Sequence, residues 1–410
     1  MNQIDAAVGT KTGSANALPR TLRGVRVAER LEVLDALRGF ALFGILMANI
    51  QYWAGWMMMS PKETARFHDA SELRVMRGIE RFLIDGKFYT LFSLLFGAGC
   101  VLIMLRLQRD GHAWKRTYFR RMAVLMLIGI VHTLLIWDGD ILLLYAVLGF
   151  TLPWFAERAD RTLLVAAFLL IFVVPFLGKA VFAAMGWAPA DYLLDGSLKW
   201  LESQGGPQFG GEVAWLQSTN LAEYPKWTLS GTVYSLGLRL DSWRIPKVLG
   251  IMILGLWCGR KIPDGLLTDR AFLKRVLALG ALIGVPATAF YASRKGVNQS
   301  DWTSMIGTVP FALAYASAFL LLWPTAKRVL GVLVAPGRMP LTNYLMQSVV
   351  NGVVFFGFGL GWMGTLSMGQ TYAWALALFS VQVLVSHLWL IRFEHGPVEA
   401  FWRRLTYASR

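Results

Sequence analysis

Cysteine is almost absent: Cys100 and Cys258 are the only two in 410 residues, and both lie within apolar runs. A disulfide framework is therefore excluded, no metal site follows from the thiols, and both read as small core residues. Charge is scarce too, at 16% of residues against 56% hydrophobic, a balance too apolar for a soluble domain. No apolar core of signal-peptide length precedes the first long apolar run, and internal repeats and low-complexity tracts are missing. Acidic residues are outnumbered 25 to 40, which leaves a formal charge of +15. That excess would suit nucleic acid, but the Lys and Arg residues sit in short tufts between apolar segments, so it reports topology and nucleic acid is not an expected partner.

What is there is a series of about ten apolar segments of bilayer-spanning length, at 37–59, 88–106, 119–137, 140–157, 162–184, 244–259, 271–292, 305–323, 340–360 and 371–392. The predicted fold is all-α, a polytopic transmembrane helix bundle in the lipid bilayer. The sixth segment is short and follows Arg239, Asp241, Arg244 and Lys247, so its start is expected to be tilted or buried in protein.

Basic residues mark the cytoplasmic loops. They recur before the first segment (Arg20, Arg23, Arg26, Arg30), after the second (Arg106 to Arg121), after the fourth (Arg158, Arg161) and after the sixth (Arg260 to Arg275). Lys327, Arg328 and Arg338, then Arg392, Arg403 and Arg404, complete the series and place both termini in the cytoplasm. Residues 1–34 read as a disordered cytoplasmic tail, and 35–406 as a single transmembrane domain with outer segments at about 60–87 and 186–243. In the first of these, Met76, Ile79, Phe82 and Leu83 have the spacing of an amphipathic helix at the outer surface. The second is rich in Gly, Trp and Tyr, which suits interfacial anchoring or a lid over an outer site.

The stretch Gly129 to Gly149 puts a histidine and two aspartates into an otherwise apolar hairpin. An ionisable group at the bilayer centre costs roughly 2.5–3.5 kcal/mol on insertion scales, so His132, Asp138 and Asp140 are candidate functional residues. The plainer reading makes Trp137-Asp138-Gly139-Asp140 a polar turn and His132 a packing residue. Helical rise sets His132 about 7–8 Å below the outer surface, with Asn49, Lys87 and Tyr89 at a similar level. A polar cavity open outward, lined by Asn49 and holding His132 against Asp138 or Asp140, is the expected geometry of a general base.

A second polar set, Asn343, Gln347 and Asn351, recurs every four residues and lines one helix face. It is either interhelical glue or the wall of a passage from the inner side. Arg38, Arg120, Arg121 and Arg338 are expected near the cytoplasmic surface, where guanidinium groups can bind phosphate oxygens in pairs or simply anchor topology. Asp35 and Arg38, three apart, can also pair with each other.

Five stretches carry a resemblance: Leu34 to Ala41, Lys87 to Gly99, His132 to Leu142, Gly337 to Gln347, and Gly396-Pro397-Val398-Glu399. In this order they resemble the YeiB-type family of bacterial inner-membrane proteins, a domain of unknown function, over nearly the whole chain from about Arg30 to Thr406. More distantly, Leu34 to Gly39 followed by Asn49 is similar to the first helix of the transmembrane acyltransferase superfamily. Sugar O-acyltransferases of that superfamily have a catalytic histidine where this chain has Asn49, whereas its glucosaminide N-acetyltransferases have asparagine there and take their histidine from the next outer segment. His68 and His132 are the replacements here, and His132 is favoured because no motif surrounds His68.

The superfamily likeness implies acyl transfer from cytoplasmic acyl-coenzyme A to a small-molecule or glycan acceptor at the outer face. In that scheme His132 is the base, Asp138 or Asp140 orients it, and Asn49 or Lys87 stabilises the oxyanion. Arg38, Arg120, Arg121 and Arg338 hold the donor phosphates, with Asn343 and Gln347 along its path; no metal takes part, and a homodimer is compatible with this arrangement. A proton-coupled transporter or exporter, and a non-catalytic membrane scaffold, are the alternatives.

Overall fold

The computed structural model describes residues 20–109, 113–208 and 210–407, and among them there are helices and no strands. The longer helices, in chain order, are α1 (Arg20–Trp53), α2 (Ala70–Leu83), α3 (Lys87–Arg109), α4 (Trp114–Leu135) and α5 (Leu142–Gly149). α6 (Asp160–Ala184) contains one π-helical turn, and α7 (Pro189–Ser203), α8 (Glu212–Ser218) and α9 (Tyr224–Asp241) follow it. The chain then forms α10 (Arg244–Lys261), α11 (Arg270–Ser293), α12 (Trp302–Leu330), α13 (Pro340–Phe355), α14 (Met368–Arg392) and α15 (Pro397–Tyr407). α1 begins inside the stretch 1–34 that reads as a tail, and residues 1–19 of that stretch lie outside the described ones.

Seven helical stretches among the described residues are long and apolar enough to cross a membrane, and the chain is a polytopic membrane protein. Three of the ten apolar segments take another form. α5 has 8 residues, a rise of about 12 Å against a hydrocarbon core of about 30 Å. α13 has 16 residues and ends at Phe355. α10 has 18, bounded by Arg244 and Lys261, and its Val248, Ile251, Met252, Ile253 and Leu256 are fully buried. A helix apolar on every side belongs in the middle of a bundle, as its charged start foreshadows.

Glycines set how closely the central helices cross. A Cβ on Gly97 of α3 would lie 2.0 Å from the Met252 carbonyl oxygen of α10, and one on Gly255 would lie 2.2 Å from that of Leu94. Small residues permit such backbone approach, which supplies helix association where lipid offers no hydrophobic drive. α6, α11 and α14 form the periphery, with most of their apolar stretches exposed, whereas most of the apolar stretch of α1 within Glu32–Trp53 is buried. Between α2 and α3 the chain turns at Gly86, whose φ of +80° suits glycine. α2 leaves Val75, Ile79 and Leu83 exposed along one face.

Candidate functional site

α4 and α5 form a hairpin whose turn carries the ionisable residues. The His132 carbonyl accepts from Ile136 N (3.0 Å) and Trp137 N (2.8 Å), which ends α4. Asp140 then divides its carboxylate: Oδ2 accepts from Leu143 N at 2.7 Å and caps α5, while Oδ1 lies 2.8 Å from His132 Nδ1. Both side chains are almost wholly buried, at 1% and 0% exposure. Of the two aspartates expected to orient His132, Asp140 is the one bonded to it.

The surroundings of the imidazole are aromatic. Tyr344 of α13 lies 5.3 Å away between ring centroids and Trp137 6.3 Å, edge-on. The Tyr344 hydroxyl accepts from Ile141 N at 3.3 Å. Two ring nitrogens here are buried without a hydrogen-bond partner, His132 Nε2 and Trp137 Nε1. The indole N–H is a donor only, and His132 Nε2 becomes an acceptor when Nδ1–H faces Asp140.

Asp138 has a separate task. It accepts from the Tyr52 hydroxyl of α1 (2.5 Å), and that oxygen accepts from Trp227 Nε1 of α9 (2.8 Å). Burial pushes the Asp138 carboxyl in this turn up to about 6, while the Tyr52 bond pulls the other way. Gly231 of α9 leaves it room, since a Cβ there would be 2.2 Å from Oδ2.

α9 also clamps the end of α4. Tyr224 donates to the Ile136 carbonyl (2.7 Å), Thr228 to that of Leu134 (2.6 Å), and Arg239 to that of Asp140. The expected outward-open cavity is thus corrected: α9 and its aromatic neighbours cover the pair. Asn49 is half-buried and forms no hydrogen bond with His132, Asp138 or Asp140 among the described residues. Lys87 is likewise elsewhere: fully buried, it donates to the Arg81 carbonyl at 2.5 Å and faces the Phe311 ring. Tyr52, Arg239 and Tyr344 have no role here in the sequence alone, and Trp227 has one only through the lid alternative for 186–243; each comes from another helix, and no local spacing marks them. The other candidate, His68, has both ring nitrogens engaged, by Glu72 and by Met368 N.

At the opposite end of the bundle three of the four arginines gather. Arg38 pairs with Asp35, which also lies within electrostatic reach of Arg338. Arg121 stacks under the Trp402 ring (3.6 Å) within reach of Arg38 and Arg403, and Arg338 donates to the Glu394 carbonyl at 3.2 Å. Arg120 follows along α4, half-buried.

The amide stripe does not border a passage. Asn343 Nδ2 donates to the Met339 carbonyl (3.1 Å) and Ser386 Oγ (3.0 Å), and Gln347 Nε2 to Gln382 Oε1 (2.9 Å). Gln382 returns a bond to the Asn343 carbonyl, and Trp374 donates to Asn351 Oδ1, both at 2.9 Å. These bonds lock α13 to α14, so the passage-wall expectation gives way to glue. Glu399 of α15 accepts from Leu341 N (2.7 Å) and Thr342 N (3.0 Å), capping α13 and joining two stretches that sequence treats as separate motifs.

A family model described as protein of unknown function (DUF418) matches residues 264–409, which includes the stripe and its cap. The uncharacterized protein YxaH of Bacillus subtilis (strain 168) is 32% identical over 404 residues, 93% of this chain and 95% of its own. The uncharacterized protein YeiB of Escherichia coli (strain K12) is 28% identical over 420 residues, covering 92% and 96%. An uncharacterized 39.9 kDa protein of Bacillus acidopullulyticus, from the amylase 3' region, is 28% identical over 399 residues, covering 93% and 95%. With likeness of that depth over more than nine-tenths of both chains, this chain belongs to the YeiB-type (DUF418) family.

Proposed function

We propose that the protein transfers an acyl group from acyl-coenzyme A to a hydroxyl or amine acceptor across a bacterial inner membrane. Both termini lie in the cytoplasm in this reading, and the α4–α5 turn lies outside. The observation that carries it is the buried imidazole of His132, held at Nδ1 by Asp140 and unpartnered at Nε2. A carboxylate at Nδ1 selects the tautomer whose Nε2 accepts a proton. The acceptor O–H or N–H gives its proton to Nε2 as its heteroatom bonds to the thioester carbonyl carbon. The C–S bond then breaks and the departing sulfur takes that proton, so atoms and charge balance. Trp137 Nε1, the unpartnered donor beside His132, supplies a hydrogen bond to the developing oxyanion in place of Lys87 or Asn49. For the acceptor to reach Nε2, α9 must lift from the turn, a lid motion of a common kind. Arg38, Arg121 and Arg338 are the groups suited to the donor phosphates.

The test is purified protein given acyl-coenzyme A and a panel of hydroxyl and amine acceptors. His132→Ala is expected to lower transfer by about 10²–10⁴-fold with coenzyme A binding retained, and Arg338→Ala to weaken donor binding. If coenzyme A does not bind and a proton gradient drives His132-dependent solute movement in vesicles, the protein is a transporter instead. Cysteine-accessibility labelling in intact cells checks the orientation: the α4–α5 turn should react with an impermeant reagent and the loop between α3 and α4 should not.

A further inference from the structure

Chain connectivity sets α7, α8 and α9 apart from the rest of the bundle. The chain leaves α6 at Gly186 and re-enters the bundle at Trp243, and between these points α7 and α9 run antiparallel. Lys226 Nζ, at the start of α9, donates to the Gln204 carbonyl just beyond α7 (3.1 Å), and Ser230 Oγ donates to that of Ser197 (2.7 Å). Nearer the other end, a Cβ on Gly237 would lie 3.0 Å from the Leu194 side chain. Trp215 of α8 stacks on Trp227 of α9 with centroids 6.0 Å apart. The three helices hold one another, and both covalent connections sit at the same end.

That end is built to turn. Gly186 is left-handed at φ +60°, and a Cβ there would meet nothing within 4 Å. Trp243 is the one non-glycine residue at positive φ among the described residues, at 51°, a costly conformation for a bulky side chain and one that clusters at moving parts. Its indole is seated against Gly178 of α6, where a Cβ would lie 2.0 Å away, and against Phe182 (5.1 Å), which also meets Trp187 (4.9 Å). Both connections therefore bear on one aromatic cluster at the end of α6. Beside it lies a cavity of about 360 Å³, lined by Phe182, Trp187, Ala190, Arg239, Trp243 and Ile245. Interiors are otherwise close-packed, so this space lets the connections rotate without collision.

The far end is fastened mainly by hydrogen bonds. Tyr224, Trp227 and Thr228 donate to the Ile136 carbonyl, the Tyr52 hydroxyl and the Leu134 carbonyl, and the Tyr224 ring packs on Phe356 (5.2 Å). From α8, the Leu216 carbonyl accepts from Gly357 N (2.8 Å) and Gln217 donates to the Met363 carbonyl. Water can replace each such bond at modest net cost. α9 has 18 residues, a length of about 27 Å, so a turn of about 15° at Trp243 would carry its Tyr224 end about 7 Å from the α4–α5 turn. Arg239, close to the axis, would keep its bond to the Asp140 carbonyl.

We infer that α7, α8 and α9 form one hinged lid over the His132–Asp140 pair, turning about Gly186 and Trp243 and released at the end that carries Tyr224. This rests on the proposed transfer for its purpose, the access of an acceptor to His132, but the motion itself needs neither donor nor acceptor.

Pulsed electron-spin distance measurements on full-length protein in phosphatidylcholine nanodiscs test it, with Cys100 and Cys258 replaced by alanine. Nitroxides are placed on Met57→Cys in the bundle and on Ser203→Cys and Leu221→Cys at the free end, all exposed positions. The Met57–Ser203 and Met57–Leu221 pairs should each show a second, longer distance, displaced by about 7 Å, while the Ser203–Leu221 pair keeps a single one. Tyr224→Phe deletes one fastening bond and keeps the ring; it should raise the longer-distance population roughly two- to tenfold. Gly186→Ala meets no neighbouring atom and penalises only the left-handed φ of the closed lid, so it should raise that population roughly five- to thirtyfold. If it does not fold, Tyr224→Phe decides. A lower Tm for Gly186→Ala with unchanged distances overturns the hinge, and movement of Leu221 without Ser203 overturns the single lid. One fixed distance per pair in wild type and variants overturns the motion. A lid that moves as expected in a protein that transfers no acyl group leaves this inference standing and removes the transfer reading alone.

Discussion

Two polar regions are buried in this bundle, the amide stripe between α13 and α14 and the His132–Asp140 pair at the α4–α5 turn, and both look alike as polar residues in apolar helices. They differ in what is left over once hydrogen bonds are assigned. In the stripe Asn343, Gln347 and Gln382 bond across the helix pair, and the remainder is Asn351 Nδ2, on an amide whose oxygen is already bonded. An amide nitrogen only donates hydrogen bonds and cannot take up a proton. At the turn the remainder is an imidazole nitrogen beside an indole N–H. Burial and polarity alone thus do not separate glue from chemistry; the character of the unpartnered atom does.

The sharpest way to break this contrast is Asp140→Asn. An amide can offer its own N–H to Nδ1 and turn the proton toward Nε2, so transfer should fall by up to about 10⁴-fold, read as kcat with donor KM little changed. A wild-type rate would remove the pair from the chemistry. Trp137→Phe keeps the ring and deletes the N–H; transfer should fall by about 10²-fold with little change in Tm. An equal loss of folded protein would instead make Trp137 a packing residue.

The stripe responds in stability. Glu399→Gln weakens the carboxylate cap on α13 and should cost about 1 kcal/mol, seen as a lower Tm in detergent with transfer per folded molecule unchanged. Gln382→Leu acts on the same scale. It removes the bonds to Gln347 and the Asn343 carbonyl, each worth about 0.6 kcal/mol by membrane-protein cycles. A large loss of activity with normal Tm would mean that the stripe serves the reaction.

How much of this was legible in the sequence follows sequence separation. His132 and Asp140 are eight residues apart around one turn, and their pairing could be anticipated from the hairpin alone. Apolar run length gave the membrane class, and the charged start of α10 hinted at its burial. The bonds Gln347–Gln382, Leu341–Glu399 and Arg239–Asp140 span 35, 58 and 99 residues, and no periodicity encodes them. The stripe could be seen as a face of α13, but its meaning lay on α14. Likewise the expected open cavity failed because what closes it, Tyr224, Trp227 and Thr228, belongs to a segment that sequence also reads as interfacial anchor.

The Glu399 cap has a consequence for the order of assembly. Leu341 N waits for an acceptor 58 residues further along the chain, an interval of about 3–12 s at typical synthesis rates. During that interval the first turn of α13 lacks its Glu399 acceptor, so this cap forms only once α15 has been made.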